Sequence, residues 1–289
     1  MSQLQDNRSS QTTHPEIIPY ASFQDFIRLC EGVHGSHDGV VLFIDVQLAT
    51  FDEITQGLRD RDDEDILIFL YLEKFGYLYI TFPTVLNQTL HHTLYNVVFA
   101  QMYQQQGLWG GWDNVHPYEL RCLVNGNIIF GGGKSSCWTP ADSSLDWPTL
   151  VVEPGVQDSN ARTRKAGLWF QASNHQVQIV LVVGLDLANS RIVIERWESS
   201  RRELGHVMAH VESVTIDRRP DLAYLNLPAS DPSLYTASGP LSLATSKLLP
   251  TRPPAVGEQI IISVEMLRQY AAAVWGCVFR PSTGGQRTS

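Results

Sequence analysis

The apolar positions of this chain change period several times, and each change marks an element. Ser22 precedes Phe23, Phe26, Ile27 and Cys30, spaced i, i+3, i+4, i+7, so the pattern predicts a short helix with Ser22 as its cap. Val40–Val46, apolar except for Asp45, reads as a strand, and Thr50–Arg61 reads as a second helix. Asp65–Leu72 and Tyr77–Phe82 are rich in aromatic and branched residues and predict two strands joined at Phe75-Gly76. Arg59-Asp-Arg-Asp-Asp-Glu-Asp65 is charged throughout and reads as a solvated turn.

A helix follows from about Asn87 to Gln106, with the stripe Leu90, Leu94, Val97, Val98 and Met102. It carries no carboxylate or cationic side chain, so it is expected to be largely covered. Asn125-Gly126 between Glu119–Val124 and Asn127–Phe130 is a strong hairpin signal. Thr149–Glu153 is a near-continuous apolar strand of the kind buried on both faces, ended by Pro154-Gly155. Asp158 or Ser159 caps a helix reaching about Ala172, and Val177–Val183 and Arg191–Trp197 are two more strands. The surroundings of His206-Val-Met-Ala-His210 read as strand, while Arg218-Arg219-Pro220 and the stretch Pro228–Pro254 read as loops around short strands. Glu258–Ser263 reads as a strand and Glu265–Trp275 as a final helix. Residues 1–15 and Pro281–Ser289 read as disordered tails around a single domain over residues 16–280.

The chain has 289 residues, 43% of them hydrophobic and 18% charged, which is a globular composition. Thirty acidic against 21 basic residues give a net charge of −9, which excludes a surface that clamps nucleic acid all round. It leaves room for nucleic acid on a local basic patch, for which Arg196, Arg201, Arg202, Arg218 and Arg219 are the candidates, although such a cluster is more often a solvated, ion-paired face. Met1–His14 is polar and no apolar run is long enough to span a bilayer, so an intracellular protein, cytoplasmic or nuclear, is expected without membrane association. The cysteines Cys30, Cys122, Cys137 and Cys277 form no C-x-x-C pair and read as buried or half-buried thiols of a reducing compartment. A homodimer is compatible with the sequence but no interface is identified by it.

The segment with candidate chemistry is Thr139-Pro-Ala-Asp-Ser-Ser144 followed by Trp147-Pro-Thr-Leu-Val-Val-Glu-Pro-Gly155. A glutamate ending an apolar strand is costly to bury unless it is paired or binds a metal. If Asp142 and Glu153 lie on neighbouring strands about 4.8 Å apart, both carboxylates can share one hard divalent ion. Other patterns are weaker. His206 and His210 lack the glutamate of H-E-x-x-H, and Gly131-Gly-Gly-Lys-Ser135 fails the spacing of a phosphate-binding loop.

The order hairpin, Pro-x-Asp, apolar strand ending in Glu, helix and strand resembles the core of the PD-(D/E)XK restriction-endonuclease-like superfamily, and more closely a fungal group within it. The block from Asp142 to Gly155, the helix bearing Trp169 and the strand Ile192-Val-Ile-Glu-Arg-Trp197 carry the resemblance, which covers about residues 85–200. It implies an α/β fold, a restriction-endonuclease-like mixed sheet flanked by helices with N- and C-terminal additions. It also implies a nuclease-like hydrolase in which Asp142 and Glu153 hold Mg²⁺, with Mn²⁺ as a substitute. The superfamily's lysine, which orients the attacking water, falls on Gly155, a departure from the pattern. Lys165 shares the apolar stripe of the next helix, and relatives with a migrated lysine resemble that arrangement, so Asp142, Glu153 and Lys165 are the expected catalytic residues. Lys134 is a second phosphate-contacting candidate. Where the superfamily's first core helix often adds an acid, this one offers Gln88, His91, His92 and Asn96, with both histidines expected at the surface. The alternative is a non-catalytic accessory or binding protein on a decayed nuclease fold. The resemblance suggests a link to secondary-metabolite gene neighbourhoods.

Overall fold

The computed structural model describes residues 16–33, 40–61, 68–81, 85–106, 112–113, 120–124, 127–132, 136–140, 147–155, 159–202, 205–249 and 259–279. The chain is a mixed α/β protein whose described strands form three sheets.

The first sheet is built by the N-terminal half of the chain. Strands β1 (Glu16–Pro19), β2 (Val40–Ile44), β3 (Ile68–Leu72) and β4 (Tyr77–Thr81) join β6 (Leu120–Val124) and β7 (Asn127–Gly132) in the order β1-β2-β4-β3-β7-β6. The antiparallel β6–β7 ladder ends with Val124 opposite Asn127, while Asn125 and Gly126 lie outside the described residues. Helices α1 (Phe23–Val33) and α2 (Leu48–Asp60) cover one face. Ser22 caps α1: its Oγ accepts from the Asp25 backbone N–H at 3.1 Å. Strands β3 and β4 turn through Gly76 at φ +61°, a conformation that disfavours any Cβ.

The second sheet runs β13-β12-β11-β10-β9-β8-β5, from Tyr235–Ala237 (β13) through Gly205–Arg218 (β12), Arg191–Arg202 (β11), Ile179–Asp186 (β10), Leu150–Gly155 (β9) and Ser136–Pro140 (β8) to Trp112–Asp113 (β5). β9 and β10 are parallel, linked through helix α4 (Ser159–Ala172), while β8 and β11 flank them antiparallel. Helix α3 (Val85–Gln106) and helix α6 (Val264–Val278) lie on one face and α4 on the other. Leu150, Val152, Ile179, Leu181, Val183, Ile192 and Ile194 face α3 and α6, while Val151, Val180 and Val182 face α4. Burial on both faces explains why β9 and β10 read as continuous apolar runs. Tyr270 of α6 donates its hydroxyl to the Leu90 carbonyl of α3 at 3.1 Å, tying the two helices together.

Strands β14 (Leu241–Ala244) and β15 (Gln259–Ile262) form a small antiparallel pair beneath α3, with the short helix α5 (Thr245–Leu248) after β14. Thr149 donates to the Leu248 carbonyl at 2.9 Å, joining the entry of β9 to α5.

Three expectations change. The strand read around His206–His210 runs on to Arg218, which was expected in a loop, and forms one long strand, β12, paired along β11. Its pairing shifts by one residue between Arg196 and Trp197, where Val211 is left without a partner in the ladder. Arg196 does not belong to a solvated basic face. It is buried, its NH1 donates to the Ser242 carbonyl, and its Nε lies 3.5 Å from Glu198 and 3.4 Å from Glu212. Lys247 completes that cluster at 3.0 Å from Glu198. Cys277 is exposed rather than buried, because α6 turns it away from the face carrying Val274 and Trp275. The charged run at residues 62–65 and the two chain ends lie outside the described residues.

No helix among the described residues is long and apolar enough to cross a membrane.

Candidate functional site

Glu153 sits on the α4 face near the end of β9, in the alternation that puts Val151 on the same side. It is 5% exposed. The sequence of α4 brings three side chains to bear on this row of the sheet. Arg162, Lys165 and Trp169 fall at i, i+3 and i+7, one face of a helix. Trp169 donates its indole N–H to Glu153 Oε1 at 2.8 Å. Lys165 Nζ lies 3.7 Å from Glu153 Oε2 and donates to the Pro154 carbonyl at 2.8 Å. Arg162 reaches two strands further, to Glu195 of β11 at 2.7 Å. The ladder sets this spacing: Glu153 is opposite Val182, and Val182 is opposite Glu195, so the two glutamates flank one valine on the same face. Trp197 donates to the other Glu195 oxygen at 3.3 Å. Each glutamate is thus held by one indole and one cation, and α4 bridges the pair across β10.

Each arrangement satisfies a carboxylate that burial would otherwise penalise strongly. Trp147, buried beside Trp169 with ring centroids 6.3 Å apart and nearly perpendicular planes, closes the apolar side of the pocket.

His91 was expected at the surface and is instead fully buried, because α3 turns it with Leu90 and Leu94 toward the sheet. Burial, then His92, then Lys165 lower its pKa to about 3, so the imidazole is neutral at pH 7. The Lys165 influence puts His91 in the electrostatic neighbourhood of the Glu153 pocket. Its ring lies 4.2 Å from that of His92, which is exposed. Sequence reasoning named His91 among the helix's polar residues. The absence of charge on that helix was the available signal that a polar residue there could be buried.

Asp142 and Lys134 lie outside the described residues. The strand leading toward Asp142 pairs with β9 as Ser136–Val152, Cys137–Val151 and Trp138–Leu150. β8 therefore starts beside the Glu153 end of β9 and runs away from it. Among the described residues no group of three or more His, Cys, Asp or Glu side chains converges as a metal site. Glu153 is the carboxylate that the described residues bring to this pocket. A magnesium ion bound through one or two carboxylates and waters would accept it as one ligand.

His206 and His210 both lie on β12, four residues apart on an extended strand, about 13 Å along its axis. They do not share a ligand position. The His206 ring stacks on His175 at 4.9 Å, and both rings contact Ser199 Oγ through Nδ1, at 3.4 and 3.0 Å. His210 contacts Ser213 at 2.9 Å. Of the remaining basic candidates, Arg219 pairs with Asp221 at 2.7 Å, while Arg201 is exposed.

No family model matches this chain, and no curated protein matches it.

Proposed function

We propose that this chain is a nuclease-like, metal-dependent phosphodiester hydrolase on a restriction-endonuclease-like core, with its lysine supplied by α4 instead of the strand. The observation that carries this reading is the approach of Lys165 Nζ to 3.7 Å from Glu153 Oε2. The layering supports it: α3 precedes β8 and β9, α4 connects β9 to a parallel β10, and the two helices pack on opposite faces.

Glu153, and Asp142 beyond the described residues, would hold Mg²⁺ or Mn²⁺. A bound ion would make a water nucleophilic at neutral pH and polarise a phosphoryl oxygen. Lys165 anchors one N–H on the Pro154 carbonyl, and as a point charge with three donors it would orient a water or a phosphate oxygen. Trp169 fixes the Glu153 carboxylate and covers its apolar side. Neutral His91 adds no competing cation beside Lys165.

A second reading, a non-catalytic accessory protein, draws on two observations. Glu153 is already engaged by Trp169 and Lys165, and β8 runs away from it. Calorimetric titration with Mg²⁺ and Mn²⁺ separates the two. Saturable binding to the wild type that disappears in Glu153→Gln supports the hydrolase, and Lys165→Met should then lower turnover while binding persists. Absence of binding by the wild type favours the accessory protein.

A further inference from the structure

Strand β4 sends Leu78 and Ile80 into the core beneath α1 and α2, which turns Tyr77 and Tyr79 to the other face of the first sheet. Phe75, in the turn before Gly76, extends the row. The ring centroids of Phe75 and Tyr77 are 5.7 Å apart, and those of Tyr77 and Tyr79 are 6.5 Å apart. Phe75 is 56% and Tyr77 36% exposed, so two neighbouring rings of the row present aromatic surface to solvent. Cations stand at both ends. Lys74 Nζ lies 5.5 Å from the Phe75 centroid. At the inner end, Arg164 acts on the Tyr79 hydroxyl, opposing the upward push of burial and of Tyr77 on its pKa. Tyr79 packs, with Leu168 and Met208, against the cluster containing Trp169. The row therefore leads from solvent to the layer that carries Lys165. The Glu73 carboxylate acts on Tyr71, on the face under α2.

We propose that Phe75, Tyr77 and Tyr79 form a stacking platform for single-stranded nucleic acid, with Lys74 and Arg164 meeting its phosphates. Unpaired bases have open faces and stack on aromatic side chains, whereas duplex bases are covered by their neighbours. The flanking charges match a polyanion and the exposed rings match its bases. On a chain of net charge −9, affinity must come from stacking more than from counterion release. The proposal rests on the nucleic-acid side of the function proposed above and is independent of its metal chemistry.

The test is fluorescence anisotropy of a short labelled oligo-dT with the full chain in EDTA. Stacking is worth about 1–3 kcal/mol per base, so Phe75→Ala and Tyr77→Ala should each weaken Kd by about 5- to 100-fold, while Tyr77→Phe keeps the ring and the affinity. Two phosphate contacts predict a shallow salt dependence, a log–log slope of about −1.4. A duplex of matching length should not compete. Absence of oligonucleotide binding, indifference to Tyr77→Ala in a variant with unchanged circular dichroism, or equal competition by duplex would each overturn the platform. Because EDTA removes divalent ions, the result does not depend on whether the Glu153 pocket binds metal.

Discussion

Glu153→Gln leaves the Trp169 indole an oxygen to donate to, but strips Lys165 of its partner charge. Opposite unit charges 3.7 Å apart attract by about 4 kcal/mol at an effective dielectric of about 20. The Lys165 side chain is 17% exposed, and its Pro154 contact survives, so water and that carbonyl recover part of the loss. The expected destabilisation is about 3 kcal/mol, the cost of orphaning one member of a buried pair. Lys165→Met should cost a similar amount by taking the cation away from the carboxylate, which keeps the Trp169 indole. The double variant should cost far less than the two together, because no uncompensated charge remains, giving a coupling of about 2–3 kcal/mol. Urea unfolding followed by far-ultraviolet circular dichroism measures all four corners of this cycle. In a thermal scan each single variant should melt about 6–12 °C lower. Additive costs, or single substitutions within about 0.5 kcal/mol of wild type, would refute the claim that the pair is energetically closed.

Other consequences can be measured on the same footing. His91 has its pKa lowered to about 3, so the unfolded chain takes up a proton that the folded chain refuses. The penalty is absent above about pH 6.5 and grows to about 4–5 kcal/mol as pH falls toward 3, so His91→Gln should flatten the acid limb of stability seen in urea midpoints between pH 7.5 and 4. Gly76→Ala places a Cβ at φ +61°, 3.4 Å from the Val46 backbone, and should cost about 1–2 kcal/mol in thermal melting, with Gly76→Asn costing less. Tyr270→Phe removes the hydroxyl that bonds the Leu90 carbonyl and should cost about 1 kcal/mol, with hydrogen exchange rising first in α3 and α6.

Much of the architecture could be read from pattern. The hairpin at Asn125-Gly126, the apolar run of β9 and the stripe of α3 each announce their period within a few residues, and local signals of that kind survive folding. Lys165 was also legible, since a lysine inside an apolar stripe must aim at whatever the stripe covers. Long-range partners were not legible. Arg196 read as one member of a basic cluster because, beside its neighbour Glu198, its partners Glu212 and Ser242 come from other parts of the chain. The uncharged helix signals cover, but nothing local says that His91 takes it and His92 does not; only the helices and sheet around them decide. β11 reaches Arg202 although its last residues are polar, because β12 supplies their ladder partners.

The irregularity at Val211 explains why β12 escaped the pattern and what it accomplishes. Below it, Val214 and Ile216 point toward α6; above it, Met208 packs on the α4 side, and His206 and His210 meet Ser199, His175 and Trp197 there. One supernumerary residue acts as a phase inverter, so that two halves of a strand written in the same even-numbered frame serve opposite layers. Removing Val211 would leave each ladder pair and each face as it is, with His210 following directly on Glu212 in the ladder; keeping Val211 and pairing it regularly would instead send Met208 and both histidines to the wrong side and raise Val207 and the alanine at 209 in their place. The layer each half serves is therefore written in its partners on β11, and the spelling of β12 keeps time with them only because one letter goes unread.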